Sequence, residues 1–476
     1  MSFRDDAKIK INKLKMANLT SYESHYNRTH EVQEVVSLPE GEKVSTAGRV
    51  IFCRDLGAIG FLKINNIYGS IQLFIDNKKY DLKINGENIF KYINLGDIVG
   101  VEGSIIFTST GEKSIEIEKI TLLSKCIEQI SDKWHGITDV ELKLRKRQLD
   151  LISNDKCRNI FHTRHNLIKN IRNYLWKNGF TEVETPILQN IPSGASAYPF
   201  KTYYEALNDD FYLRIAPELF LKRLIVGGYE KIFEIGKCFR NEGIDRSHLQ
   251  EFTMLELYMS YISYEDLQKF TVKFLQTIVY ETLGTLQTTN INFENVEYIS
   301  YDHLFIKYGN IDIRDKTLEE LETIAEAHSL NTNLYKSFDA LKDAIYKKLC
   351  LSKIKDPVLV YDYPTTPLSY NNPNKPGYNY QFQIIVGNFE IIRACIELTD
   401  SQLQNKNFDE QMKLSMDSGE REVVRKDVDY IEALESAMAP TGGMGLGIDR
   451  LMMLISEGDI SIRDVVLFPA TKNKSK

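Results

Sequence analysis

The run from Phe239 to Tyr258, FRNEGIDRSHLQEFTMLELY, concentrates the most telling chemistry of the chain. Read as two strands joined by a polar loop, it places Arg240 and Glu242 two residues apart, pointing the same way along the first strand. In the second strand, Phe252, Met254, Glu256 and Tyr258 share one face, and Thr253, Leu255, Leu257 and Met259 share the other. Glu256 therefore stands among apolar neighbours, where an unpaired carboxylate is costly. It needs a cation. Two partners are open: a protein cation in a structural ion pair, or a cationic substrate. A second concentration of chemistry is PTGGMGLGIDRLMMLI. Gly442, Gly443, Gly445 and Gly447 leave a bare backbone that a flat ligand can approach closely. Arg450 falls in the first turn of the apolar helix that follows, where it suits a stacked base or a phosphate. The alternative is a tight strand-to-helix packing joint. The spacing is not G-x-G-x-x-G, and no Gly-Lys-Ser/Thr follows, so neither a dinucleotide fold nor a Walker loop is indicated.

The elements that must position these groups follow from texture. A chain of 476 residues has room for two or three domains. With 26% charged and 43% hydrophobic residues, it reads as an ordinary globular protein. The net charge of −7 gives no global attraction to nucleic acid, so RNA binding would rest on local patches. The six cysteines form no C-x-x-C pair, which argues against a zinc site or a disulfide framework and fits a reducing cytosol. The start lacks a signal-peptide core and no apolar run would span a bilayer, so a cytoplasmic protein without a membrane role is expected. Residues 4 to 16 form a basic helix carrying Lys8, Lys10, Lys13 and Lys15, as a solvated surface or a phosphate-contacting arm. From Val44 to about Leu123, short alternating runs broken by Gly and Asn predict a five-stranded barrel of the OB type. There Phe61 and Gln72 fall on neighbouring strands near Arg54, a placement that simple packing would also explain. Residues 126–156, with Trp134-His135-Gly136 and a charged run, read as a connector. A long amphipathic helix begins near Asp155, with Phe161, Ile168, Ile171 and Leu175 on one side and Gly179 placed to stop it. FTEVETPIL then reads as a strand whose Pro186 suits an edge or an interface.

Taken together, GFTEVETPIL, FRNEG…EFTMLELY and GLGIDRL resemble motifs 1, 2 and 3 of the bacterial-type class II lysyl-tRNA synthetases. YLRIAPELFLKRLIVGG and SIRDVVLFPA are similar to family wording between and after them, so the resemblance covers about residues 44 to 470. It implies an α+β protein: an N-terminal OB-fold β-barrel, then a class II catalytic domain built on an antiparallel sheet flanked by helices. The expected boundaries are 1–30 for a basic extension, 31–125 for the anticodon-binding barrel, 126–156 for the connector and 157–476 for the catalytic domain. Motif 1 falls at about 165–188, motif 2 at about 232–260 and motif 3 at about 440–455. The implied activity is ATP-dependent formation of lysyl-adenylate from L-lysine, with Mg²⁺, and transfer to the terminal ribose of lysine tRNA. A homodimer through motif 1 is implied as well.

The resemblance also implies residue roles. Arg240 holds the α-phosphate and the substrate carboxylate together. Glu218, with backbone contact from Gly194, receives the α-ammonium, and Glu256, Glu397 and the Tyr258 hydroxyl bind the ε-ammonium. Two carboxylates around one ammonium resolve the Glu256 question and exclude neutral or acidic side chains. Phe252 stacks on adenine, with Glu242 and His248 nearby and Arg450 behind the base and γ-phosphate. The related aspartyl and asparaginyl enzymes carry arginine where Glu397 stands. Arg54, Phe61 and Gln72 match the readers of the central anticodon uridine.

Several positions depart from the family pattern. Gln383 replaces a glutamate that ligates Mg²⁺, while its partner Glu390 is present; an amide oxygen is the weaker ligand. Arg393 replaces an asparagine beside the substrate carboxylate, Cys395 a phenylalanine lining the side-chain pocket, Tyr198 an arginine, and Lys119 a glutamate in the barrel. The space opened at Cys395 predicts tolerance for substituted lysines. Three readings stay open: a working synthetase, a diverged paralogue serving a non-tRNA acceptor, and a catalytically weak RNA-binding or regulatory protein.

Overall fold

The computed structural model describes residues 2–84, 86–128, 139–194, 197–335, 338–365, 370–417 and 426–471. The connector's Trp134-His135-Gly136, and Ala195 and Ser196, lie outside the described residues. The chain divides into two units, Met1–Arg158 and Asn159–Lys476.

In the first unit, helix α1 (Phe3–Met16) precedes a closed barrel of β1 (Lys43–Asp55), β2 (Ile59–Asn65), β3 (Ser70–Asp76), β4 (Ile98–Phe107) and β5 (Lys113–Ser124). The strand order is β1-β2-β3-β5-β4. Strict alternation drives it: Leu62, Ile64, Leu73, Val99, Val101, Ile115 and Ile117 all point inward and are fully buried. Closure leaves the barrel without a free edge. The basic helix is not wholly solvated, because Ala7 and Leu14 are buried and Leu14 joins the barrel core. Lys10 and Lys13 pair with Asp6 and Glu87.

The second unit opens with α2 (Asp155–Lys177), which reaches back across the division and ends before Gly179 at φ +80°. Its eight-stranded sheet comprises β6 (Thr181–Glu182), β7 (Lys231–Phe239), β8 (Glu251–Ser260), β9 (Glu297–Ser300), β10 (Val358–Tyr361), β11 (Gln381–Val386), β12 (Phe389–Ile396) and β13 (Thr441–Gly447). The order is β9-β10-β11-β12-β13-β8-β7-β6. The central pairings are antiparallel; the two outermost, β9 with β10 and β6 with β7, are parallel. Leu255, Leu257, Met444 and Leu446 pack one face of the sheet into the main core, together with Leu267, Phe274, Leu275 and Ile278 from the helix that follows β8. The helices that matter are α3 (Glu218–Val226) and α5 (Val428–Glu435), which pack against Ile232 and Tyr258 on the other face, and α4 (Tyr264–Leu283) and α6 (Ile448–Ile455), which belong to the main core.

Two sequence expectations change here. FTEVETPIL is not one strand: β6 is two residues long, and Leu188–Gln189 pairs instead in a separate three-stranded sheet. Pro186, which lacks an N–H, falls between the two pieces. Arg240 and Glu242 do not share a strand either, because β7 ends at Phe239 and the chain leaves the ladder in a polar loop.

Candidate active site

Strand β8 carries the alternation that the sequence announces. Glu256 is 5% exposed and accepts a hydrogen bond from the Tyr258 hydroxyl at 3.2 Å. Directly across the β7–β8 ladder stands a second carboxylate, Glu234. Like charges facing each other would be destabilising, but Glu234 has its own cation: Arg214 lies 2.5 Å away, and the Thr185 hydroxyl donates to Glu234 at 2.7 Å. Gly236 makes that possible, since a Cβ there would lie 2.0 Å from an Arg214 nitrogen. Glu256 has no such private partner. Burial, then the charge of nearby Glu218, pushes its carboxyl up to about 8.

On the other side of β8 runs the glycine strand β13, and beyond it β12. Gly443 is in register with both Tyr258 and Cys395. A Cβ on Gly443 would come within 2.2 Å of a Glu397 oxygen and 2.6 Å of the Tyr258 ring. The bare backbone at this position therefore makes room for protein side chains that converge above it, rather than for a flat ligand lying on it. Glu397, just past β12 and 7% exposed, receives the Cys395 thiol at 3.4 Å.

The sequence reading missed Lys222. It sits on α3 one turn beyond Glu218, and its ammonium lies 2.6 Å from Glu218 and 2.5 Å from Glu397. It also stands 5.8 Å over the Tyr258 ring, with its side chain 8% exposed. Burial alone would lower its pKa, but Glu218 and then Glu397 outweigh that and hold it well above the usual lysine value. Gly194 closes this corner at φ +87°, where a Cβ would lie 3.2 Å from those of Ala216 and Glu218. Glu218, Glu256, Tyr258, Glu397 and Gly194 are thus brought together, with one resident ammonium among three carboxylates.

The polar loop after β7 supplies a second group. Arg240 lies 5.1 Å from the Phe252 ring centroid, and its Nε is a buried donor without an acceptor among the described residues. Arg450 donates to the Glu390 carbonyl at 3.0 Å and contacts His248 Nε2 at 3.0 Å. Asp245 lies 2.7 Å from Nδ1 of the same ring, an arrangement that calls for the Nδ1–H tautomer. The residue beside Arg450, Asp449, is buried; it accepts from the Thr253 N–H at 2.7 Å and pairs with Arg164 of α2 at 2.6 Å. Glu242 is exposed on the loop, which Gln250 holds by donating to the Glu242 carbonyl at 3.2 Å. Tyr198 is half-exposed, and its carbonyl accepts from Asn241 at the start of the loop.

The residues proposed for a metal do not fit one held by the protein. Glu390 pairs with Arg393 at 2.8 Å, and the Gln383 amide oxygen accepts from the Tyr363 hydroxyl at 2.8 Å. Gln383 and Arg393 are directly paired across β11 and β12. One carboxylate already neutralised by a guanidinium, beside a neutral amide, is a poor chelate for a hard cation. Among the described residues no three His, Cys, Asp or Glu side chains converge on a metal position. Glu390 stands here as the ion-pair partner of Arg393.

In the barrel, Arg54 and Phe61 are paired across β1 and β2, and Gln72 lies on β3 opposite Lys63, on the same outer face as Phe61. Gln72 donates to the Ser114 hydroxyl at 3.0 Å. Phe74, which the sequence reading passed over, stands opposite Phe61 with ring centroids 5.5 Å apart. Inward-facing aliphatics build the core without these rings, so the aromatic pair occupies the outer face. Lys119 pairs with Glu102 at 2.7 Å.

Comparison with known proteins places these features. Residues 139–472 match the family described as tRNA synthetases class II (D, K and N), and residues 44–123 match the OB-fold nucleic acid binding domain. The chain is 40% identical to a lysine–tRNA ligase of Aquifex aeolicus, over 98% of this chain and 79% of that protein. It is 36% identical to one of Pelotomaculum thermopropionicum, over 97% and 93%, and 36% identical to one of Buchnera aphidicola, over 100% and 94%. Among the described residues no helix is long and apolar enough to cross a membrane.

Proposed function

The chain belongs to the class II tRNA synthetases of the D, K and N family, and from that premise we propose that it activates L-lysine with ATP and charges lysine tRNA. The observation that carries the reading is the convergence of the buried Glu256 and Glu397 with the partly exposed Glu218 near a single buried lysine side chain, which pairs with Glu218 and Glu397. A neutral or acidic amino acid would leave that negative charge uncompensated in a desolvated site.

In this reading Glu256, Tyr258 and Glu397 bind the ε-ammonium, while Glu218 and the Gly194 backbone take the α-ammonium. Arg240 carries the substrate carboxylate and the α-phosphate; its orphaned Nε supports that role. The carboxylate oxygen attacks the α-phosphorus, pyrophosphate leaves, and the acyl phosphate bond of lysyl-adenylate is formed. A hydroxyl of the terminal tRNA ribose then attacks the acyl carbon and AMP departs. Arg240 and Arg450 act by neutralising charge and fixing geometry. Adenine lies against Phe252, with Arg450, His248, Glu242 and Glu390 framing the nucleotide. Since Glu390 and Gln383 do not fit a protein-held Mg²⁺, no step here passes through one.

The outer face with Arg54, Phe61 and Gln72 supports an unpaired anticodon base as its ligand, and so a tRNA acceptor. Nothing favours a non-tRNA acceptor or a purely regulatory role. A homodimer through motif 1 and a cytoplasmic location belong to the same proposal; the six free cysteines suit a reducing compartment. Lysine-dependent ATP–pyrophosphate exchange, followed by charging of lysine tRNA, tests it. Exchange with aspartate or asparagine but not lysine would overturn it.

A further inference from the structure

Lys222 is assigned no role by any of the foregoing. Its ammonium is buried, as an unpaired ammonium would not be, and both its partners, Glu218 and Glu397, face the amino-acid pocket. The charged groups around it can be counted element by element. Glu218 shares α3 with it, Glu256 and Tyr258 come from β8, Cys395 from β12, and Glu397 from the residue just after β12. Cys238 and Glu234 stand on β7, and Tyr430 on α5. Burial raises the pKa values of Cys238, Tyr258, Cys395 and Tyr430, so all four stay neutral. Arg214 cancels Glu234. Among the described residues three carboxylates and one ammonium remain. With Glu256 ionised, two negative charges are left over.

Two is the number of ammonium groups on free lysine. We propose that Lys222 is a positioning residue that fixes this count: it pairs with Glu218 and Glu397, holds both carboxylates aimed, and leaves a pocket that only an amino acid with two ammonium groups neutralises. The substrate carboxylate lies outside the count because Arg240 receives it. Since Lys222 touches the carboxylate proposed for the α-ammonium and one proposed for the ε-ammonium, it also ties the two ends of the pocket together. The inference rests on the lysine-binding reading above and gives it a mechanism of charge selection.

The test compares Lys222→Met and Lys222→Arg in lysine-dependent pyrophosphate exchange between about pH 6.5 and 9, with KM measured separately for lysine and ATP. Without a resident cation the buried Glu256 and Glu397 lose the positive charge that offsets their desolvation, and the protons they hold must leave before lysine binds. Lys222→Met should therefore raise the lysine KM more than tenfold near pH 7, leave the ATP KM within about threefold, and shift the lysine pH profile upward. Lys222→Arg keeps the charge and should restore the parental profile even if its geometry weakens binding. A Lys222→Met enzyme with the parental pH profile, however weak, would reduce Lys222 to packing and overturn the proposal. So would a Lys222→Arg profile displaced like that of Lys222→Met. Should the methionine variant fail to fold, calorimetric titration of the native enzyme with lysine, in buffers of differing ionisation enthalpy, decides instead. Near pH 7 the count requires release of about one proton per lysine, and none released would overturn it. A native enzyme that exchanges pyrophosphate with another amino acid and not with lysine would instead sink the functional reading on which the inference rests.

Discussion

Glu256 offers the sharpest quantitative handle. Its carboxyl is displaced from an ordinary 4.5 to about 8, which corresponds to roughly 5 kcal/mol between its two protonation states. In the free protein at pH 7 it is therefore mostly protonated, and ionising it for an incoming ammonium costs only the last unit, about 1.4 kcal/mol or tenfold. Lysine kcat/KM should consequently rise about tenfold per pH unit between about pH 6 and 8 and then level off. The assay is pyrophosphate exchange at subsaturating lysine with ATP saturating. Glu256→Gln removes the titrating group, so its profile should be flat. Its plateau should sit more than tenfold lower, because the ammonium loses a partner worth about 2–5 kcal/mol. The same displacement has a consequence for stability. A carboxyl whose folded pKa is raised stabilises the fold below about pH 4.5, and that contribution is lost as the pH rises through about 8. The melting temperature of the free protein should fall across that window, and less so in Glu256→Gln. A wild-type lysine profile that is flat from pH 6 to 8, or a slope that survives in Glu256→Gln, would refute the reasoning.

Other outcomes follow from single contacts. Phe61→Ala should weaken tRNA charging by about 1–3 kcal/mol, the share of one stacked base, and leave pyrophosphate exchange nearly unchanged; a parallel loss of both would make Phe61 a core residue. Gly443→Ala puts a Cβ 2.2 Å from a Glu397 oxygen and should raise the lysine KM more than tenfold. Gly445→Ala, whose Cβ meets the flexible end of Met254 at 3.2 Å and Glu256 Cγ at an ordinary 3.9 Å, should be several-fold milder, and equal effects would remove the glycine strand from the pocket. Cys395→Phe refills the space beside Glu397 and should narrow the range of substituted lysines that support exchange; an unchanged analogue panel would show that position 395 does not line the pocket.

The barrel was legible because a half-buried strand must alternate, and Leu62, Ile64, Leu73 and Ile75 do so. Glu256 was legible for the opposite reason: it breaks an apolar pattern at a position the period assigns to the interior. The motifs then supplied what periodicity lacks, namely which distant residues meet. Lys222 escaped because Glu218 and Lys222, four apart on a helix, look like any solvated surface pair. The buried setting of Lys222 depends on Glu397, just past a strand and 175 residues further along. Arg214 with Glu234 and Arg164 with Asp449 escaped in the same way. The broken strand after Phe180 was hidden because β-propensity carries no information about which sheet a short piece will join.

The floor and the walls of the pocket differ in how they can change over generations. The walls, on β8 and β12, are side chains, and one side chain can be exchanged for another of new size or charge while the ladder of backbone hydrogen bonds stays intact. The floor at Gly443 is backbone alone, pressed between two neighbouring strands and already overhung by Glu397 and Tyr258. Every mutation there adds atoms where none fit, so this position is a dead end for gradual drift. New amino-acid preferences in this scaffold have to arise through the walls, and Cys395 marks one place where that route is open.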